Sequence, residues 1–519
     1  MFKWYKNIIM FFPISLLIVH FKRNHLLLLF WLLLFGFISQ NIGNFYGLHY
    51  LFLAPEYLGK INYLSFAING LMLGSFIVAY NIYSYRLNIL IFPFMVTVNR
   101  PFIKYTYNNS IIPLLFIGTY IYNSVIFQKN EEFIPNEEIY LNIIGFLTGI
   151  LTFIIIAYLY FLRFDRNIYK ISGFTEEELS KYRSSFEKKI RKGGLKINRW
   201  ERALKRIGPW KVKTYLTKPY KVAFARSSDH YSSQLIKLFF TRNHVNASYF
   251  ELGAIVTFIT LGLIRESEFF LIPAGASILV LFSLTLMLIN SFYSFFKRWS
   301  MTIIILSIVG INFISQKIDL LYYKSYAYGI DYGALKANYD ESTIHLYATD
   351  SLKYAKDKQI AFQMLNNWKK ETGLSKPKLI VVNSSGGGSR SSMWTYNTLC
   401  HLDSVFNGKI TKQIQFISGA SGGMIGATYF RENLYQSRMN NNDFYADKKH
   451  IENISKDLLN AVAYSTATSD FLPRLQSFED NGYTYPKDRG FIFEQKLNKN
   501  LGQSLTKRLG DYRDPVYRG

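Results

Sequence analysis

Long apolar runs separated by blocks of charge constrain this chain more than any other feature. Seven runs are candidate spans, at 26–42, 64–83, 111–127, 139–161, 250–264, 269–292 and 301–314, and several of them approach the length of about twenty residues that an α-helix needs to cross a bilayer. For the fifth and seventh runs, which are short, a buried helix of a soluble domain is the alternative. An earlier run at 8–19 contains Pro13 and predicts an uncleaved, interfacial segment. Residues 1–315 are therefore predicted to form a multi-span α-helical membrane domain.

The charge is concentrated between the fourth and fifth runs. The net charge of the chain is +25, and residues 163–248 hold 21 Lys/Arg against 7 Asp/Glu. Basic loops stay in the cytoplasm, so this loop is predicted to be cytoplasmic. Three runs then separate it from the chain beyond Ile314. An odd number of crossings places that later part on the non-cytoplasmic side.

The basic loop allows three interpretations. Trp200 and Trp210 lie among its lysines and arginines, which suits an anionic lipid surface. Nucleic-acid binding and a solvated linker without a partner are the alternatives. Juxtamembrane basic stretches bind lipid far more often than nucleic acid, so anionic lipid is the predicted partner and nucleic acid is not.

Residues 316–376 are predicted to form a linker and an amphipathic helix. The stretch 322–338 is rich in Tyr and Gly and predicts an extended linker. In 350–370 apolar residues recur among lysines, which predicts a helix that ends at Gly373. The single cysteine, Cys400, excludes an internal disulfide framework.

The stretch from Lys378 to Gly423 repeats one pattern, a short apolar strand followed by a Gly-rich turn and a helix. The first strand, 379–382, leads to Gly386-Gly387-Gly388-Ser389-Arg390, and the second, 414–417, leads to Gly419-Ala420-Ser421-Gly422-Gly423. The second turn fits G-x-S-x-G, the nucleophile elbow, in which a serine stands at a sharp strand-to-helix turn. Small residues at Gly419 and Gly423 keep Cβ atoms away from that crowded turn. A structural glycine turn and a nucleotide-binding loop are the alternatives, and the second lacks the G-K-[ST] sequence that phosphate loops carry.

The two turns together resemble the patatin-like phospholipases, which carry a G-G-G-x-R-G loop, a G-x-S-x-G serine and an Asp-Gly-Gly or Asp-Gly-Ala. Here the first motif ends in Ser391 instead of glycine, and the third motif is absent. The resemblance implies that residues 377–519 are the N-terminal part of an α/β patatin-like domain, a Ser–Asp dyad acyl hydrolase. The domain is expected to be C-terminally truncated.

The resemblance also assigns roles to residues. Ser421 is the expected nucleophile, and the N–H groups of Gly386, Gly387, Gly388 and Gly422 are the expected oxyanion hole. Arg390, Gly419 and Gly423 support the site, with Arg390 fixing the loop or meeting a phosphate headgroup. The site requires no metal and no cofactor.

The dyad aspartate is not identified, and it is expected beyond Gly519. Asp480 and Asp488 are the nearest candidates, but neither is followed directly by glycine, and each suits a turn. A Ser–His–Asp triad is the other chemistry. His450 is the only histidine after Ser421, while His345 and His401 precede it, so structural roles are expected for all three.

The function predicted from the sequence is a membrane-anchored lipid acyl hydrolase acting on membrane lipid, with the 519-residue form expected to be inactive for lack of its aspartate. The alternative is a catalytically inactive membrane protein whose patatin-like region binds lipid or a partner. The spans show no cluster of buried charges that would predict an ion pathway. The oligomeric state is not predicted.

Overall fold

The computed structural model describes residues 7–164, 210–228, 233–296, 299–315, 326–440, 449–470 and 476–513. The helices, in chain order, are α1 Phe12–Arg23, α2 His25–Ile38, α3 Leu48–Leu53, α4 Tyr63–Asn88, α5 Pro101–Asn108, α6 Ile111–Asn130, α7 Asn136–Phe164, α8 Ser233–Leu263, α9 Ala274–Phe296, α10 Ser300–Ser315, α11 Glu341–Ala348, α12 Ser351–Thr372, α13 Gly388–Val405, α14 Ser421–Asn440, α15 Lys449–Ser455, α16 Leu459–Ser465 and α17 Arg489–Asn500. The strands are β1 Thr214–Lys218, β2 Lys221–Phe224, β3 Ile380–Ser384, β4 Ile414–Gly419, β5 Ser477–Asp480 and β6 Tyr483–Pro486. Most of the predicted basic loop, including Trp200, lies outside the described residues.

The chain divides into two compact units. Unit 1 comprises Met1–Tyr322 together with Leu459–Gln476, and unit 2 comprises Tyr323–Leu458 together with Ser477–Gly519. The division at Tyr322 falls close to the predicted start of the linker. Residues 377–519 were predicted to form one hydrolase-like region, whereas Leu459–Gln476 belongs to unit 1.

Five helical segments of unit 1 are long and apolar enough to cross a membrane. They are Tyr63–Ile91, Ile111–Asn130, Asn136–Phe164, Asn243–Leu263 and Ala274–Phe296. The fifth predicted run is therefore longer than the sequence pattern indicated. The first predicted run forms half of a bent pair, α1 and α2, whose axes differ by 98°. The last run remains a short apolar helix, Thr302–Ile314.

Glycines bring α4 and α7 into backbone contact. A Cβ atom on Gly70 would collide with the Phe146 carbonyl oxygen, and one on Gly149 with that of Ala67. Further along, a Cβ atom on Gly74 would lie 3.0 Å from the Ile150 carbonyl oxygen. Contact positions rise together along both chains, so the helices run parallel. Each helix carries a G-x-x-x-G spacing, which permits such close approach in membrane helices.

A side chain at Gly149 should separate α4 from α7. We expect Gly149→Leu to cost about 3 kcal/mol or more, because the added atoms meet backbone that cannot rotate away. The measurement is the thermal stability of the detergent-solubilised protein, followed by the monodisperse fraction on gel filtration. Gly118→Leu on α6 is the control, since a Cβ atom at that position meets nothing within 4 Å. Equal stability of the two variants would contradict the crossing.

A buried polar network connects α1, α4 and the end of α5. The His20 Nε2 atom lies 2.8 Å from Asn109 Oδ1 and 3.2 Å from the Ser84 hydroxyl. Asn24, at the break between α1 and α2, donates to Asn88 Oδ1 at 3.0 Å. Satisfied networks of this kind specify one arrangement of buried helices. The N-terminal segment, predicted to be interfacial, instead buries Phe12, Leu16 and Val19 in the core.

The segment Leu459–Gln476 packs at one end of the antiparallel α8–α9 pair. Asn460 accepts from the Ala274 N–H at 2.7 Å and donates to the Glu56 carbonyl at 2.7 Å. Gln476 donates to the Leu263 carbonyl at 2.9 Å. This end of α8 is opposite to Asn243, where its apolar stretch begins.

Unit 2 contains the two predicted strand–turn–helix repeats. Strands β3 and β4 pair in parallel, with α13 as the crossover between them and α14 directly after β4. Helix α12 ends at Gly373, whose φ of +66° closes the helix as predicted. Strands β5 and β6 form an antiparallel hairpin, and α17 follows it.

Candidate active site

Ser421 occupies the strand-to-helix turn that the sequence predicts. Strand β4 ends at Gly419, and α14 begins at Ser421 itself. The φ angle of Ser421 is +50°, a left-handed conformation that a residue with a side chain adopts at a cost of about 1 kcal/mol or more. This strained conformation leaves the Ser421 side chain exposed to solvent. The geometry is that of a nucleophile elbow.

The first Gly-rich turn lies directly beside Ser421. Because β3 and β4 are parallel, with Ser384 paired to Gly419, both turns leave the same edge of the pair. A Cβ atom on Gly386 would lie 3.2 Å from the Cβ atom of Ser421. The predicted oxyanion loop and the predicted nucleophile are therefore brought together by the parallel pairing.

Glycines on α14 let the second helix touch the first turn through backbone atoms. A Cβ atom on Gly422 would collide with the Gly388 carbonyl oxygen, and one on Gly423 with that of Ser385. One turn later, a Cβ atom on Gly426 would collide with the Ser392 carbonyl oxygen. Gly426 was not among the predicted site residues, although its spacing of four residues from Gly422 places both glycines on one face of the helix.

Serine hydroxyls close the first turn and link it to the second turn and strand. Ser392 donates to the Gly422 carbonyl at 2.8 Å, and Ser391 donates to the Ser385 carbonyl at 2.5 Å. Ser384 donates to the Ser418 carbonyl at 3.2 Å. Ser391 replaces the last glycine of the family motif, and its hydroxyl closes the loop by a hydrogen bond. These bonds hold the loop rigid beside Ser421.

The N–H groups of the first turn suit an oxyanion. Helix α13 begins at Gly388, whose φ is +64°, and the N–H groups at a helix start have no partner within the helix. Among the residues that the structure describes, none accepts a hydrogen bond from the N–H of Gly386, Gly387 or Gly388. A helix N-terminus also favours negative charge electrostatically. Arg390 lies in the first turn of α13 and is exposed.

The two candidate aspartates have structural partners. Asp480 pairs with Arg508, with 2.5 Å between Oδ1 and Nη2. Asp488 caps α17 by accepting from the N–H groups of Gly490 and Phe491 at 2.9 and 3.2 Å. Within the described part of the chain, no side chain forms a hydrogen bond with the Ser421 hydroxyl. The base that would take its proton is therefore not identified.

His345, His401 and His450 have no catalytic contact among the described residues. His450 Nδ1 lies 3.0 Å from the hydroxyl of the buried Tyr429. His401 is exposed on α13, and His345 is on α11. Among the described residues, none of the three forms a hydrogen bond with Ser421.

Glu432 braces the helix that carries Ser421. It lies on α14 with 1% of its surface exposed, and it accepts from Lys507 and from the Tyr512 hydroxyl at 2.5 and 2.7 Å. Burial acts to raise the pKa of Glu432, but hydrogen bonds from Lys507, Gln436 and Tyr512 outweigh it, so the pKa lies below its usual value. The ionised carboxylate thus ties α14 to the segment around Lys507. Nothing in the sequence pattern pointed to this contact.

The Glu432 contacts should stabilise unit 2 in a pH-dependent way. A lowered pKa in the folded state means that the contribution is present above the unfolded value of about 4.3 and disappears as pH falls through the folded pKa. We therefore expect Glu432→Gln to lower the unfolding temperature at pH 7, with the difference from the wild type shrinking below about pH 4. Glu371→Gln, on the exposed end of α12, is the control. A difference that persists unchanged at low pH would refute the assignment.

Comparison with protein-family models, curated proteins and solved structures finds no match to this chain. The likeness to patatin-like phospholipases therefore rests on the two Gly-rich motifs and on the geometry that surrounds Ser421.

Proposed function

We propose that this protein is a membrane-anchored lipid acyl hydrolase of the patatin-like type, with Ser421 as its nucleophile. The observation that carries the proposal is the strained Ser421 at the start of α14, with Gly386 against its Cβ atom. A structural glycine turn has no need of a strained, exposed serine at that point. The five apolar helical segments of unit 1 are consistent with a multi-pass membrane protein.

The proposed reaction is acyl transfer through Ser421. An aspartate of the protein takes the hydroxyl proton while Oγ attacks the ester carbonyl carbon. The resulting oxyanion accepts from the N–H groups of Gly387 and Gly388, with Gly422 as a further donor, and each such donor contributes roughly a hundredfold in rate. Collapse of the intermediate releases the alcohol, which receives the proton. Water then attacks the acyl-serine and releases the fatty acid.

The surroundings of Ser421 favour a lipid substrate over a small polar ester. Met424, one turn beyond Ser421 on α14, is 43% exposed, and Trp394 on α13 is 75% exposed. Exposed apolar side chains mark an interaction site where they form a contiguous patch, and a lipid acyl chain would occupy such a patch beside Ser421. Arg390 adds a positive charge beside the loop, which suits a phosphate headgroup.

The nucleophile can be tested with a fluorophosphonate probe. In membranes containing the protein, we expect Ser421→Ala to lose labelling and ester hydrolysis, because no other hydroxyl lies at the elbow. Asp488→Ser is the matched control. Serine retains the helix cap while removing the carboxylate, so labelling should persist.

Two other results would each change the proposal. Loss of labelling in Asp488→Ser would make Asp488 the base. Absence of labelling in the wild type, beside a serine hydrolase that is labelled, would favour the alternative of a non-catalytic region that binds lipid or a partner. That alternative is supported by the Ser421 hydroxyl, which has no hydrogen-bond partner among the described residues.

We further propose that the basic loop is cytoplasmic and that Ser421 lies on the other side of the membrane. Helices α8, α9 and α10 give three crossings, of which α10 is the shortest at 16 residues. The packing of Leu459–Gln476 at the Leu263 end of α8 supports the third crossing. If α10 did not cross the membrane, the chain after α10 would lie on the side of Asn243. The segment Leu459–Gln476 would then be on the side opposite to the Leu263 end of α8, which it contacts.

Single cysteines can test this sidedness. In a Cys400→Ser background, an impermeant maleimide added to intact cells should label Ala337→Cys and leave Ser184→Cys unlabelled. Burial raises the pKa of Cys400 to about 11, so even the wild-type thiol should react slowly. Permeabilised cells provide the control, in which both cysteines react. Equal labelling of the two in intact cells would contradict the topology.

A further inference from the structure

A second buried polar cluster lies where α4, α8 and α9 meet in unit 1. Glu251 on α8 is fully buried, and its Oε2 accepts from the Asn290 amide at 2.6 Å. The same Asn290 accepts from Arg86 on α4, at 3.1 Å through its side chain and at 2.8 Å through its backbone carbonyl. One amide therefore connects a buried carboxylate with a guanidinium group. The sequence does not predict this cluster, because Arg86 and Glu251 are 165 positions apart.

Several buried atoms around Glu251 are left without partners. Among the described residues, no hydrogen-bond partner is found for Glu251 Oε1, for the hydroxyls of Ser248 and Ser294, or for the Asn243 side chain. Buried polar groups are normally satisfied, and exceptions mark an unseen water or ion. Ser248 precedes Glu251 by three residues and shares its face of α8.

These unpaired groups extend from Glu251 toward one end of the α8–α9 pair. The two helices are antiparallel, so the C-terminal end of α9 lies beside the N-terminal end of α8. From the contact between Asn290 and Glu251, Ser294 lies one turn closer to this end on α9, and Ser248 and Asn243 lie closer to it on α8. The candidate membrane span of α8 runs Asn243–Leu263, so Glu251 lies eight residues, or about 12 Å along the helix, from its first residue. An ionisable side chain within a membrane span is costly and commonly serves an ion or proton pathway.

We propose that Glu251 is the proton-binding carboxyl of an intramembrane site that exchanges protons with the Asn243 end of α8. Protonation removes the charge of the buried carboxylate and converts Oε1 from an acceptor without a donor into a donor. A metal cation would need a shell of several oxygen ligands, whereas a proton needs one acceptor. The site is separate from Ser421 and from ester hydrolysis, and it rests on the membrane placement of α8 proposed above.

The groups facing this cluster determine its response to pH. They are Arg86 and Tyr83 from α4, His244 from α8 and Tyr293 from α9, whose ring lies 4.9 Å from the Arg86 guanidinium carbon. Of these, Arg86 is the cation coupled to Glu251 through Asn290. A positive charge favours the ionised carboxylate, so removing it should favour proton binding.

Infrared difference spectroscopy on the purified full chain in lipid vesicles tests the proposal. We expect a protonated-carboxyl band that titrates with pH and is lost in Glu251→Gln. In Arg86→Gln the midpoint should move up by about one pH unit, which is about a tenfold larger protonated fraction at a fixed pH above the midpoint. Glu266→Gln, an exposed glutamate beyond the same helix, should leave the band unchanged.

Three results would overturn the proposal. One is a spectrum without any titrating band that depends on Glu251 between about pH 4 and 10, which would make the cluster a permanent ion pair. Another is a midpoint that does not move in Arg86→Gln, provided that gel filtration shows the variant to be folded. The third is loss of the band on adding Na⁺, but not choline, at constant pH, which would reassign the ligand to a metal cation. Each outcome is independent of Ser421, so failure here leaves the proposed hydrolase untouched.

Discussion

The parallel contact between α4 and α7 is the constraint on which the rest of unit 1 depends. Both helices begin at the same end, so α6 has to return between them in the opposite direction. The contact is made by backbone atoms at Gly70 and Gly149, where no side-chain rearrangement can absorb a change. In a lipid environment, burial of apolar surface does not drive helices together, so close van der Waals contact of this kind supplies much of the association. Helix α9 then packs on α4.

The same device recurs in unit 2 with a different purpose. At Gly422, Gly423 and Gly426 the start of α14 approaches the first turn and α13 so closely that a Cβ atom would meet carbonyl oxygens. In unit 1 the approach stabilises a helix pair. In unit 2 it places Ser421 beside the first turn, where the N–H groups of Gly386, Gly387 and Gly388 donate no hydrogen bond to any described residue. Rigidity of this kind is what oxyanion stabilisation needs, because donors must be in place before charge develops.

Polar side chains are distributed unevenly within unit 1. The network around His20 satisfies its members through amides and hydroxyls, and such a network stabilises one arrangement of α1, α4 and α5. The cluster around Glu251 leaves several buried atoms unpaired. A buried group without a partner costs about 1–3 kcal/mol. The two clusters therefore differ in how completely their polar atoms are satisfied within the described residues.

The sequence by itself determined the apolar helices, the helix ending at Gly373 and the two strand–turn–helix repeats with Ser421 at an elbow. These features depend on local rules: the length of an apolar run, the conformational freedom of glycine and the hydrogen bonds available at a helix end. Only the tertiary structure decided that Gly386 lies against Ser421, that Asp480 pairs with Arg508, and that Glu251 shares Asn290 with Arg86. The partners in these contacts are between 28 positions apart, for Asp480 with Arg508, and 204 positions apart, for Arg86 with Asn290. No local pattern encodes them, because helix packing and strand pairing determine which distant residues meet.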